Sequence, residues 1–285
     1  MKIGSEEHKE RFCRQFIASH YRFDPVTLTW PELDDASLTR LRSIPFWQEV
    51  LYTERRAGAI VAAYAETIVD PLVREAVALQ GFEEARHADL LREMIRRYRI
   101  AAEEQPLEAP IGGDLRRAFA DFGYGECLDS FLGFGVFKIA RRAGFLPEQL
   151  FEIFDMLMRE ETRHIVFFVN WMAWQQTAGR KIRGWLRGAT AAVYYCRAIG
   201  RLLSTVRRGR LVNDGKDFSA TQASVFFEGF TFRSFIEECY SEHGRRMREF
   251  DPDLLQPHFL PRLAAIAITG LRLGGGIRPT QEERA

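Results

Sequence analysis

Glu160-Glu161-Thr162-Arg163-His164 repeats, with only its middle residue changed, an earlier stretch of the chain, Glu83-Glu84-Ala85-Arg86-His87. In a helix, residues three apart sit about one turn from each other on one face. Glu84 with His87, and Glu161 with His164, can therefore aim a carboxylate oxygen and an imidazole nitrogen at one point. Two such pairs on facing helices, joined by one further Glu from each of two other helices, build a carboxylate-rich cage for two metal ions. The alternative is a pair of charged surface turns held by i,i+3 and i,i+4 contacts. It leaves unexplained two more acids that the chain supplies in the right order.

Those acids are Glu54, in Tyr52-Thr53-Glu54-Arg55-Arg56, and Glu126, in Gly123-Tyr124-Gly125-Glu126-Cys127. Each stands in the helical segment preceding a motif. Glu54 lies 30 residues before Glu84, and Glu126 lies 35 before Glu161. Such intervals suit helical hairpins in which residues at matching depth face each other.

On these residues the chain resembles the ferritin-like di-iron carboxylate proteins. The acid-Glu-x-Arg-His form is similar to the soluble acyl-carrier-protein desaturases and the multicomponent hydrocarbon monooxygenases. The resemblance covers residues 45–179. It implies an all-α fold with a ferritin-like four-helix bundle at 45–179; the flanks lie outside the resemblance, and their own residues read as an N-terminal helical extension at 1–44 and a C-terminal helical extension with a basic helix at 180–285. It further implies that Glu54, Glu84, His87, Glu126, Glu161 and His164 ligate two iron ions, with a manganese/iron pair as the alternative. By the same likeness Glu83 and Glu160 orient the ligand histidines through their other ring nitrogens, and Arg86 and Arg163 offset those buried acids.

Three comparisons with this group refine the expectation. Leu91 stands where the radical-bearing subunit of ribonucleotide reductase has Tyr, which disfavours a stable tyrosyl radical. Ser130, four residues after Glu126, keeps the hydroxyl that the hydrocarbon monooxygenases carry on a Thr and use in handling protons, so a catalytic role falls to it. Nothing resembles a rubredoxin-type Cys-x-x-Cys iron site.

Composition sets outer bounds. With 285 residues, 46% hydrophobic and 13% aromatic, the chain can bury a sizeable core. A formal net charge of +1 provides no global field for nucleic acid or membrane. Cys13, Cys127, Cys196 and Cys239 lack metal spacing, and neither a signal peptide nor an apolar run of transmembrane length is visible. A reduced, cytoplasmic protein is expected.

In chain order, a short helix is expected from Ser5 to His20, followed by a polar, Pro-containing approach to Pro45. His8 and His20 are expected to be solvated or locally bonded. Helix resumes at Phe46, stops at Asp70, restarts at Pro71 and runs to about Arg99. Residues 101–113, rich in Pro and Gly, form the crossover linker. Asp114 caps the helix holding Glu126, which reaches about Arg142. Four glycines, Gly123, Gly125, Gly133 and Gly135, each cost that helix about 1 kcal/mol against Ala. They either open room for dioxygen and an apolar substrate walled by Phe122, Phe131, Phe134 and Phe137, or allow close helix packing. Gly144 and Pro147 separate this helix from the next, which is apolar nearly all round after His164 and ends at a Gly179 cap.

Between Glu161 and Asp214 the chain has no acid. Arg183, Arg187, Arg197, Arg201 and Arg208 fall near one line of a helix there, together with Tyr194. This stripe docks an anionic partner (an acidic carrier protein, a phosphorylated substrate, RNA or a membrane surface), packs beside acids of this chain such as Glu237, Glu238, Glu242 and Glu249, or is simply solvated. A further helix capped by Ser219 runs to about Phe250. A short closing helix spans Asp253 to Ile268, and a frayed tail follows.

The expected activity is an oxygen-dependent oxidase or oxygenase, a hydroxylase or desaturase, acting on a partly apolar organic or carrier-bound substrate. Dioxygen serves as co-substrate, an external donor supplies electrons, and a homodimer is the expected assembly. The alternative is a ferroxidase or iron-handling protein without organic substrate.

Overall fold

A computed structural model describes residues 1–107, 113–177, 184–212 and 231–274 of the protein, without the side chains of 184–187, 205–212 and 273–274. It is all-α. The described residues form nine helices and no strand: α1 (Glu6–Ala18), α2 (Asp35–Ser43), α3 (Trp47–Ala65), α4 (Pro71–Arg97), α5 (Leu115–Arg142), α6 (Glu148–Thr177), α7 (Gly184–Val212), α8 (Phe232–Met247) and α9 (Phe259–Gly274). No described helix is long and apolar enough to cross a membrane.

The helix starts follow from local chemistry. Ser5 caps α1 by accepting from the His8 N–H. Asp70 caps α4, with Pro71 at the first position where a missing N–H costs nothing. Asp114 caps α5. Helix α4 stops two residues earlier than expected, because Arg99 takes a left-handed φ of 49°. The segment before Pro45 is not merely a polar approach. Asp34 caps α2 through the Ser37 N–H at 2.7 Å, and this helix buries Leu41 against Trp47, whose indole N–H donates to the Leu41 carbonyl at 2.9 Å. Towards the C-terminus, α8 begins in the described residues at a Thr231 cap. The expected caps Ser219 and Gly179 and the tail at 275–285 lie outside the described residues. Helix α9 starts later and runs further than the span expected for the closing helix.

Pairwise contacts set the directions of α3 to α6. Gly58 meets Ala85 and Gly81 meets Ala62, so α3 and α4 run antiparallel. The missing side chains matter at these two points: a Cβ would lie 3.2 Å from the Ala85 nitrogen and 3.1 Å from the Ala62 nitrogen. Phe119 packs on Phe168 and Phe137 on Phe151, so α5 and α6 are also antiparallel. Glu83 pairs with His164 and His87 with Glu160, which makes α4 and α6 antiparallel. It follows that α4 and α5 point the same way, so that the end of α4 and the start of α5 lie at opposite ends of the bundle.

Helix α1 lies antiparallel to α6, with His8 on Asn170, Phe12 on Phe167 and Phe16 beside Arg163. Helices α7 and α8 pack on α5, and α9 packs on α8.

Two apolar cores result. One gathers Val61, Val77, Phe119, Phe134, Ile165 and Trp171 with Phe12 of α1. The other gathers Leu51, Ala88, Leu91, Leu150 and Leu157 with Leu41 of α2. On α3, α4 and α6 the residues between these cores are Glu54, Glu83 to His87 and Glu160 to His164. The polar motifs thus form one layer across the bundle, sandwiched between two hydrophobic ones.

Candidate metal centre

The helix directions bring Glu54, Glu84, His87, Glu126, Glu161 and His164 to a common level. The Nδ1 atoms of both histidines face inward. His87 Nδ1 lies 3.0 Å from Glu161 Oε1, 3.5 Å from Glu54 Oε2 and 3.8 Å from Glu84 Oε2. His164 Nδ1 lies 2.9 Å from Glu84 Oε1 and 3.8 Å from Glu161 Oε2. Each of Glu84 and Glu161 therefore spans both imidazoles, one oxygen towards each. Ligand atoms of Glu54, Glu84, His87 and Glu161 all lie within 4.8 Å of one another. Glu126 faces Glu161, Glu84 and Glu54 from α5.

The outer ring nitrogens are held in a crossed pattern. His87 Nε2 of α4 donates to Glu160 of α6 at 3.0 Å, and His164 Nε2 of α6 donates to Glu83 of α4 at 2.9 Å. Arg86 pairs with Glu160, and Arg163 with Glu83 at 2.7 Å. Each motif thus completes the other. The two guanidiniums are themselves covered by aromatic rings, Arg86 by Phe23 at 4.1 Å and Arg163 by Phe16 at 4.5 Å.

The layer is electrostatically loaded. Burial raises the Glu83 carboxyl, but its hydrogen bond from His164 and the Arg163 guanidinium outweigh that and bring it down to about 2. Burial lowers the His87 imidazole, yet Glu160, Glu161 and Glu54 lift it well above its ordinary value. Burial likewise works against the His164 cation, and Glu84, Glu161 and Glu83 overcome it. Burial would raise Glu161, and the two histidines hold it below the usual carboxylate range instead. Glu54, despite the His87 imidazole beside it, is pushed up to about 7 by burial, with Glu161 and Glu84 adding to the push. Glu126 is raised well above its ordinary value by burial and by those same carboxylates.

The buried charges of the layer thus pull one another's proton affinities away from their ordinary values, and its inner atoms still stay unsatisfied. Glu84 Oε2, both oxygens of Glu161 and the Nδ1 atoms of His87 and His164 are buried without a hydrogen-bond partner. Orphaned buried polar atoms are costly. Here they converge, and all are donors a divalent cation accepts, so the residues fit a metal centre.

A second group, His20, Glu83 and Glu160, also brings ligand atoms within 4.8 Å of one another. Both carboxylates are already neutralised by Arg163 and Arg86. A cation there would face two guanidiniums, so the inner group is the candidate site.

The expectation for His8 holds in one part, since its Nδ1 accepts locally from the Gly4 N–H at 3.2 Å; otherwise it is corrected, as it is for His20. His8 is fully buried and bonds Asn170 of α6 at 2.9 Å, and the side chain of Asn170 also bonds the Leu255 backbone in both directions. His20 Nδ1 contacts Glu83 Oε1 at 2.5 Å, directly behind the layer. Neither Asn170 nor Glu83 is near in sequence, which is why local patterning misses these two contacts.

Ser130 is buried with its hydroxyl unpartnered. The α5 glycines divide between the two readings offered for them. A Cβ at Gly123 would strike the Phe168 ring and one at Gly135 would strike Cys239, so these serve close packing, whereas Gly133 has open space around it. Phe131 and Phe134 pack on His243 of α8, Phe137 on Phe151 and Phe122 on Phe119, so these rings are engaged in the core.

On α7, Arg197 and Arg201 reach Asp121 of α5 at 3.3 and 3.5 Å, not the C-terminal acids expected to pair with the stripe. Tyr194 stacks on Tyr124 at 4.9 Å. Arg183 lies outside the described residues, as do the side chains of Arg187 and Arg208. All four cysteines are free thiols, with only Cys196 exposed. No family model, curated protein or solved structure matches the chain.

Proposed function

We propose that this chain is a ferritin-like, non-haem di-iron oxidoreductase that uses dioxygen to oxidise a partly apolar organic substrate, with electrons from an external donor. The observation that carries this reading is the crossed pair of motifs, in which Glu84 and Glu161 each span the inward Nδ1 atoms of His87 and His164. The helix directions support it, since a bundle whose second and third helices run the same way needs the single long crossover of ferritin-like folds.

Glu54, Glu84, Glu126 and Glu161, with His87 and His164 through their inward Nδ1 atoms, would hold the two ions. A manganese/iron pair would use the same donors. When bound, the reduced metals supply the electrons and the open coordination that dioxygen activation needs. Glu160 and Glu83 keep each ligand imidazole fixed in one tautomer. Ser130 Oγ, one helical turn beyond Glu126, is free to hold a proton inside the bundle. Arg197 and Arg201, two cations sharing one Asp121, leave positive charge on α7 for an acidic handle of the substrate or its carrier.

The test is an anaerobic ferrous titration of chelator-treated protein followed by oxygen addition under stopped-flow absorption. Two metals per chain and a transient absorbing species are expected. Well-folded protein without stoichiometric metal overturns the reading, and progressive accumulation of many irons per chain replaces it with iron handling.

A further inference from the structure

The centre is close to two-fold symmetric through its inner ligands and breaks that symmetry in the layer behind them. Glu160 receives two donors, His87 Nε2 on one oxygen and Arg86 on the other. Glu83 receives three: His164 Nε2 on Oε2, and both Arg163 Nη1 at 2.7 Å and His20 Nδ1 at 2.5 Å on Oε1. A carboxylate paired with Arg163 can only accept, so His20 must present its Nδ1–H. His20 comes from the segment just after α1, and among the described residues it has no counterpart donating to Glu160 on the His87 side. A second difference points the same way. Gln80 Nε2 approaches Glu84 Oε1, the oxygen nearest His164, at 3.5 Å.

A ligand imidazole becomes a better donor as the carboxylate on its far nitrogen pulls harder on the N–H. Glu83 divides that pull among three donors and Glu160 between two, so His164 is the poorer ligand. Building on the two-metal reading above, we infer that His20 is a positioning residue that makes the metal positions inequivalent, so that the His87 position fills first and the His164 position second.

Cobalt(II) is a suitable probe for the chelator-treated full-length protein, followed by visible absorption and by the exchangeable imidazole N–H resonances of nitrogen-15 histidine-labelled protein. In the wild type, two equivalents should bind in steps separated by about tenfold in affinity, the scale on which an outer partner acts, and the first equivalent should shift the His87 N–H before that of His164. His20→Phe removes the donor and should close most of the gap by tightening the second step. His20→Gln, which keeps an N–H, should retain it. Equal filling of both positions in the wild type, the His164 position filling first, or a gap unchanged in His20→Phe overturns the inference. The wild-type resonances decide the order even if His20→Phe does not fold. Fewer than two equivalents bound to the wild type overturns the two-metal reading instead.

Discussion

Arg163 donates to Glu83 at 2.7 Å through Nη1 and, through Nη2, to the Phe16 carbonyl at 2.6 Å, so one guanidinium ties the α4 acid to the C-terminal end of α1. A third bond, Nε to Ser19 Oγ at 3.0 Å, completes the fork. Helix α1 has no basic residue in its own last turn. Arg163 supplies the cation that its exposed carbonyls and dipole favour.

Arg163→Leu should therefore destabilise the metal-free protein by about 3–5 kcal/mol, since it strands a buried carboxylate and uncaps α1 together. Arg163→Lys keeps the charge but cannot reach three acceptors in one plane, and should recover less than half of the loss. Urea unfolding of the three proteins measures this. Full recovery by Lys would show that charge alone matters.

Removing an inner ligand should have the opposite effect on the metal-free protein. Glu84 Oε2 is buried without a partner and the Glu84 carboxylate crowds Glu54 and Glu126, so Glu84→Gln removes one of several like charges from the buried layer. The metal-free variant should melt at or above the wild-type temperature. Anaerobic iron(II) at about a hundred times its dissociation constant should stabilise the wild type by about 2.7 kcal/mol, and the variant much less. Differential scanning fluorimetry with and without metal reads both. A wild type indifferent to iron(II), manganese(II) and cobalt(II) would remove the metal centre.

Much of this site is legible in the sequence. The repeated Glu-Glu-x-Arg-His carries its own geometry, because helical spacing alone puts Glu84 with His87 and Glu161 with His164. Glu83 and Glu160 are identifiable as partners of the ligand histidines, although nothing in the sequence reveals that each serves the histidine of the other helix. That crossing depends on α4 and α6 running antiparallel, a tertiary fact. His20 and His8 escape for the same reason: their partners, Glu83 and Asn170, are remote in sequence. Helix α2 escapes because Asp34, its cap, sits in a Pro-rich, polar context that suggests loop. The roles of the α5 glycines are evenly balanced in the sequence, since only the facing residue, Phe168 or Cys239, separates close packing from open space.

Acid should weaken the protein through His243. This imidazole is buried on α8 against Phe131 and Phe134, with ring centroids at 5.6 and 6.3 Å. Burial, with His258 nearby, holds it down at about 4. Above pH 6.5 both folded and unfolded chains carry it neutral and it contributes no pH dependence. Below 6.5 the unfolded chain takes up a proton that the folded one refuses until about pH 4, so stability falls across that window, by up to about 3 kcal/mol. His243→Phe should flatten this part of the stability–pH curve relative to the wild type. Parallel curves for the two proteins between pH 6.5 and 4 would show that another group carries the acid sensitivity.

Gly133 and Gly135, two residues apart on α5, should respond to alanine with opposite signs. At Gly135 a Cβ would meet Cys239 Sγ and the Cys239 backbone, with the backbone nitrogen at 3.0 Å, so α8 must move away from α5. That overpacking should cost about 1–3 kcal/mol, more than the roughly 1 kcal/mol of helix propensity that alanine returns. At Gly133 nothing lies within 4 Å of the added carbon. Gly133→Ala therefore keeps the propensity gain and should raise stability by up to about 1 kcal/mol. Chemical unfolding of both variants at neutral pH measures the pair. Stabilisation by both would mean that α8 does not press on α5 at Cys239, and with it would go the close packing that accounts for a glycine at position 135.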